Sequence, residues 1–223
     1  PPAAAGRPHR ELLGPVAEEV LRRGAQGFCC HSLTNLARAL ADGGMADSPA
    51  MAALLREALP HIRRLSPSGV ASLARSASAS SGLSFPRQMD ALAGRAISLM
   101  SRLSPADMCI LGGAFAKASH PHPELFSALA LAAAPRVGSF SEQGLTNLPW
   151  AFASLRVHTV SGAAELFIAV LEEASRRGLG RFTPQGLANL AWAFTKVGLP
   201  GMQCLVAAAL EAAAPSLDRF GEQ

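Results

Sequence analysis

Two tryptophans sit in the same company of side chains. Trp150 follows Gln143 and Asn147, and Trp192 follows Gln185 and Asn189. Spacings of three, four and seven residues return to one side of a helix, so each indole shares a face with its amides. Ser154 and Lys196 extend these faces by one more turn. Amides can pair with base edges, and flat indoles offer surfaces on which unpaired bases stack, which is the chemistry of single-stranded RNA recognition. Equivalent positions upstream hold His31, Asn35, Arg38 and Asp42, then Ser68, Ser72, Arg75 and Ala79. A further set, Ala106, Ile110, Gly113 and Lys117, makes a poor binding face. The same residues permit a second reading, with the asparagines bonded to neighbouring backbone and the indoles packed half-buried between helices.

Charge adds an edge to that surface. The only lysines are Lys117 and Lys196, so 18 of the 20 basic residues are arginine. They gather at intervals: Arg22 and Arg23, Arg63 and Arg64, Arg102, Arg136, then Arg176, Arg177 and Arg181, and Arg219. Such recurrence would form a basic rail for phosphates, or simply complement the negative ends of helices. A net charge of +4 does not decide between these readings. The candidate RNA-binding set is Asn35, Arg38, Arg63, Arg64, Arg75, Gln143, Asn147, Trp150, Arg176, Arg177, Gln185, Asn189, Trp192 and Lys196.

Catalytic patterns are lacking: there is no G-x-S-x-G, Walker A loop or H-E-x-x-H. His120 and His122 flank Pro121 and read as turn residues, while Glu18-Glu19 and Glu172-Glu173 read as solvated surface. Cys29, Cys30, Cys109 and Cys204 form no C-x-x-C pair and read as reduced thiols in or near the core. We therefore expect no enzyme activity, cofactor, metal or small-molecule substrate.

The elements that carry these faces follow from composition. Alanine (44) and leucine (31) dominate, aromatics are only 5% and tyrosine is absent, which favours helix over strand. Charged residues at 16% and hydrophobic ones at 49% exclude wholesale disorder. The longest apolar run, Leu125 to Ala134, is interrupted by Ser127 and stopped by Pro135, so no membrane span is expected.

A repeat organises the chain. Residues 140–152 and 182–194 share nine of thirteen positions without a gap, and weaker copies open at Leu103, Leu65 and Phe28. A period of about 38 residues is the length of one helical hairpin, so the chain reads as all-α, an α-solenoid of about five repeats. The expected organisation is a single array over 1–223: a partial repeat at 10–27, full repeats at 28–64, 65–102, 103–139, 140–181 and 182–219, and the start of another at 220–223. Its first helices should cover 28–41, 66–79, 104–117, 141–154 and 183–197, and the second helices should start near Pro49, Pro86, Pro123, Gly162 and Pro200. Pro149 should kink the fourth first helix.

Counting each copy from its opening residue, positions 6, 9 and 13 form the core stripe, and Leu36, Leu73, Leu111, Leu148 and Leu190 at position 9 should all be buried. Small residues at positions 5 and 12 should let neighbouring units approach. Because the chain opens with Pro1 and begins and ends in mid-repeat, a targeting peptide or further repeats are expected beyond it.

The string Phe182-Thr-Pro-Gln-Gly-Leu-Ala-Asn-Leu-Ala-Trp-Ala-Phe194, with its copy from Phe140 to Phe152, resembles the octotricopeptide and heptatricopeptide repeats. Such repeats also occur upstream of RAP domains in organellar proteins of algae and apicomplexans. The resemblance implies a hairpin solenoid that binds organellar RNA and acts in transcript maturation, translation or the ribosome. Its expected partners are RNA and the other subunits of an organellar ribonucleoprotein. The mitochondrion is the compartment expected first and the plastid is the alternative. A protein-interaction solenoid, serving as a structural subunit of a large organellar complex, is the competing function.

Overall fold

The structure, a computed structural model, describes residues 7–24, 27–198 and 207. Cys204, Arg219, the expected helix start at Pro200 and the expected repeat at 220–223 lie outside the described residues. Among the described residues the chain is all-α: helices and short 3-10 turns with no strand. The helices are α1 (Arg7–Arg23), α2 (Cys30–Asp42), α3 (Pro49–Ala58), α4 (Pro67–Ala77), α5 (Pro86–Ser98), α6 (Pro105–Lys117), α7 (Pro123–Ala133), α8 (Glu142–Ser154), α9 (Ala163–Arg177) and α10 (Pro184–Val197). Among these residues no helix is long and apolar enough to cross a membrane.

The chain divides between Arg102 and Leu103 into two compact units. In the first, α2 packs on α4, α1 on α3, and the pairs α2–α3 and α4–α5 close on themselves. The second unit repeats that plan, with α6 against α8 and α8 against α10, and α7 against α9.

Local sequence sets where each helix begins. Ser66, Ser104, Ser141 and Thr183 each accept a 3.1 Å hydrogen bond from the backbone N–H three residues on, that of Gly69, Asp107, Gly144 and Gly186. This satisfies one of the orphan donors of each helix. In α6 Asp107 also reaches back to the Ser104 backbone N–H, completing a capping box. The second helices start at Pro49, Pro86 and Pro123, and Gly162 replaces proline before α9. That glycine is left-handed at φ 80°, and a Cβ there would lie 2.8 Å from Leu131 Cδ2, so a larger residue would strain the backbone and displace Leu131. α1 starts at Arg7, before the partial repeat expected at 10–27, and runs through Pro15, while α8 keeps to the expected 141–154 and continues for five residues beyond Pro149.

The helix ends repeat as regularly as the starts. Position 17 of the copies is left-handed at Gly44 (φ 73°), Ser119 (φ 49°), Arg156 (φ 57°) and Gly198 (φ 62°). In three of them the following N–H closes on the position-13 carbonyl: Met45 to Leu40, His120 to Phe115 and Val157 to Phe152, at 2.8, 3.0 and 3.1 Å. This is a Schellman closure, which glycine fills without steric strain and arginine does not. Arg156→Gly is therefore expected to raise stability by about 1 kcal/mol, after the glycine's greater freedom in the unfolded chain is set against the relieved strain. Urea unfolding of the pair checks it, and an unchanged or lower midpoint would refute it.

Position 13 also builds the core of the second unit. Phe152 of α8 meets Phe126 of α7 and Phe167 of α9 edge to face, at centroid distances of 4.8 and 6.3 Å, and Phe167 meets Phe194 of α10 at 5.3 Å. At position 9 Leu73, Leu111, Leu148 and Leu190 are buried, but Leu36 is only half-buried. Position 9 faces the preceding first helix, as a Cβ at Gly112 of α6 would meet Leu148 of α8 at 3.0 Å. Before α2 the described residues supply one helix, α1, rather than a pair, so that flank of Leu36 stays open. The small residues at position 5 serve the same approach: Cβ atoms at Gly144 and Gly186 would meet Cys109 Sγ at 3.1 Å and Thr146 Cγ2 at 3.3 Å.

One polar clasp ties neighbouring pairs in the first unit. Asp47, before α3, accepts from Ser80 Oγ (2.5 Å), Ser81 N–H (3.0 Å) and Gly82 N–H (2.7 Å) of the loop before α5. These bonds, the Ser80 hydroxyl foremost, hold its carboxyl down at about 2.

Candidate nucleic-acid interface

The faces opposite the core stripe remain open to solvent. On α10 Gln185 and Lys196 are exposed, Asn189 is half-buried, and Trp192 retains 40% of its surface. Gln185 Nε2 donates to Asn189 Oδ1 at 3.1 Å, and Lys196 Nζ sits 5.9 Å from the Trp192 ring centroid. The four side chains thus form one continuous amide, indole and ammonium surface. On α8, which packs against α10, Gln143 is exposed and Asn147 and Trp150 are half-buried. No hydrogen bond joins any of these amides to the backbone of a neighbouring helix among the described residues.

In the first unit the corresponding faces line a groove of about 680 Å³ between α2 and α4. His31, Asn35 and Arg38 form one wall, Ser68 and Ser72 the other, and His61 and Arg64 reach in from the 3-10 turn Leu59–Arg64. The Asn35 amide donates to His31 Nε2 at 2.9 Å. Helical spacing and charge mark Asn35, Arg38 and Arg64 as binding residues but do not show that they converge. His61 joins them here, and its one signal in the sequence is its place in the last turn before Arg63 and Arg64.

The chain is similar to a RAP domain-containing protein, chloroplastic, of Oryza sativa subsp. japonica. The two are 34% identical over 113 residues, which are 50% of this chain and 18% of that protein. The chain therefore spans less than a fifth of the relative's length. No protein-family model matches.

The remaining candidates divide by environment. Arg63 is exposed and lies outside the groove lining, and Arg75 pairs with Asp42 at 3.5 Å. Arg176 is exposed, with its guanidinium on Glu173 at 2.7 and 2.8 Å. Arg177 is a structural residue: 13% exposed, it bonds Glu173 at 2.7 Å, the Gly138 carbonyl at 3.0 Å and Glu142 at 3.5 Å. It fastens the end of α9 to the start of α8, and so is not displayed along a rail.

Glu173 departs from the expected solvated surface. It is buried, because it stands three and four residues before two arginines that close over it. Their hydrogen bonds, Arg176 first, hold its carboxyl at about 2, below its ordinary 4.5. A depressed carboxyl contributes stability that is complete above the unfolded value and lost as pH falls through the folded one. The melting temperatures of wild type and Glu173→Gln should therefore differ above pH 4.5 and converge as pH falls towards 2. A gap independent of pH across that window would refute the assignment.

The thiols also separate. Cys109 is half-buried with its thiol against the Gly144 carbonyl, and desolvation pushes it up to about 12. Cys30 is half-buried, whereas Cys29 is exposed at the N-cap of α2, where the Ser32 hydroxyl lowers its pKa. His122 caps α7 by accepting from the Leu125 N–H at 3.2 Å. Among the described residues no three His, Cys, Asp or Glu side chains are grouped to hold a metal.

Proposed function

We propose that this chain is a non-catalytic helical-repeat scaffold that binds single-stranded RNA in an organelle. In this reading it forms a single solenoid over 1–223 with a period of about 38 residues, in keeping with the caps and left-handed closures that recur once per copy. One observation carries the RNA assignment: the first-helix faces hold amides, indoles and arginines that the core has not absorbed, with Trp192 still 40% exposed. Evolutionary similarity to a RAP domain-containing, chloroplastic protein favours an organellar setting, and the plastid over the mitochondrion. Within that setting the role is that of a ribosomal subunit or of a factor in RNA maturation or translation.

A second reading has its own support. Leu131 of α7 and Ile168 of α9 are 58% and 49% exposed on second helices, where an apolar surface suits another protein subunit. Crosslinking the chain in organelle extract and sequencing the bound RNA tests the first reading. Recovery of protein neighbours without RNA would replace it with a protein-interaction solenoid in an organellar complex.

A further inference from the structure

The α2–α4 groove differs in kind from the face of α10. Its walls bring two guanidinium groups, Arg38 from α2 and Arg64 from the 3-10 turn, to one cavity with His31 and the hydroxyls of Ser68 and Ser72. No carboxylate lines it. Asp42, one turn beyond Arg38, lies outside and is held by Arg75 of α4, and Glu57 of α3 lies outside at 3.9 Å from His61. Neither Arg38 nor Arg64 makes an ion pair among the described residues, and both are exposed. Guanidinium groups with five donors and no internal acceptor suit phosphate oxygens, and serine hydroxyls add neutral donors. No indole lines it, its rings being those of Phe28, His31 and His61, and a volume of about 680 Å³ exceeds what a single phosphate group fills.

We infer that this groove is a phosphodiester-binding site, in which Arg38 and Arg64 hold the sugar–phosphate backbone of a single RNA strand while Ser68 and Ser72 donate to the same oxygens. The inference rests on the RNA reading and deepens it. The first unit grips the backbone without regard to sequence, and the α8 and α10 faces of the second unit supply stacking. Binding energy from the first unit is then sensitive to salt, because each neutralised phosphate releases counterions. Stacking energy from the second is not.

The test uses the full chain and a uridine dodecamer, with affinity measured by fluorescence anisotropy across a salt series. Arg38→Ala with Arg64→Ala should flatten the slope of log affinity against log salt by about 1.4, at about 0.7 for each single-strand phosphate released. Arg38→Lys with Arg64→Lys should retain most of the slope, since lysine keeps the charge. Arg56→Ala with Arg87→Ala removes two exposed charges that lie outside both the groove and the recurring arginine clusters, and should leave the slope nearly unchanged. Equal flattening by the two alanine pairs, or none by the first, would overturn the site. Melting curves identify any variant that fails to fold; Arg38→Gln with Arg64→Gln then replaces the alanine pair, with the same flattening of about 1.4 expected and no flattening overturning the site. If the wild type does not bind the dodecamer, the RNA reading fails. The groove is then judged by inorganic tripolyphosphate: shifts confined to the Arg38 and Arg64 Nε resonances retain an anion site, and their absence rejects it.

Discussion

Phe152→Ala is expected to lower the unfolding free energy by about 3–5 kcal/mol, the largest effect of any single change considered for this chain. The ring is fully buried, and its edges meet Phe126 and Phe167, which belong to the two second helices on either side of α8 in sequence. Truncation removes the transfer free energy of the ring and leaves a cavity whose walls come from three helices. These walls cannot all move inward together, because Phe167 is also fixed by Phe194 of α10. Loss of the edge-to-face contacts adds to the penalty. Denaturant unfolding measures it, and Leu36→Ala is the internal comparison. Leu36 is half-buried, so its truncation should cost distinctly less than that of fully buried Leu148 at the same repeat position. A Phe152→Ala cost below about 1 kcal/mol would mean that the second unit is not held by this seam.

Helix starts were legible in the sequence because they depend on a few adjacent residues. A hydroxyl followed by proline or an acid specifies an N-cap and first turn locally, and Ser66, Ser104, Ser141 and Thr183 each cap the helix that follows. Helix ends were less legible. At position 17 Gly44 and Gly198 carry the usual sign of a left-handed residue, but Ser119 and Arg156 adopt the same conformation without it. There the geometry is imposed by the Phe115 and Phe152 carbonyls, which receive the following N–H, and residue preference is overridden. Burial of Glu173 was hidden for another reason. Its neighbour Glu172 is exposed, whereas Glu173 follows buried Leu166 and Val170 by seven and three residues and has Arg176 and Arg177 at i,i+3 and i,i+4 to neutralise it. The groove was legible one wall at a time: helical spacing aligned His31, Asn35 and Arg38. Their meeting with Ser68, Ser72 and Arg64 depends on how α2, α4 and the 3-10 turn pack, which no local pattern encodes.

Trp192→Ala is expected to weaken RNA binding by about 1–3 kcal/mol, roughly 5- to 150-fold, while leaving the melting temperature nearly unchanged. The indole stands on the same face as Gln185, Asn189 and Lys196, opposite Leu187, Leu190 and Phe194, which carry the burial of α10. With 40% of its surface open, it offers a base a π face already fixed by its own helix, so little side-chain order remains to be imposed on binding. Lys196 holds its ammonium over that ring, 5.9 Å from the centroid, and adds a cation to the platform. Phe152→Ala should show the reverse pattern, with a large loss of stability and normal affinity in whatever fraction remains folded. The two variants therefore separate a residue that builds the scaffold from one that uses it. If Trp192→Ala instead melted early by about 3–5 kcal/mol and bound RNA normally while folded, the indole would be inter-helix packing. The binding surface would then have to be sought without it, among the arginines of the first unit.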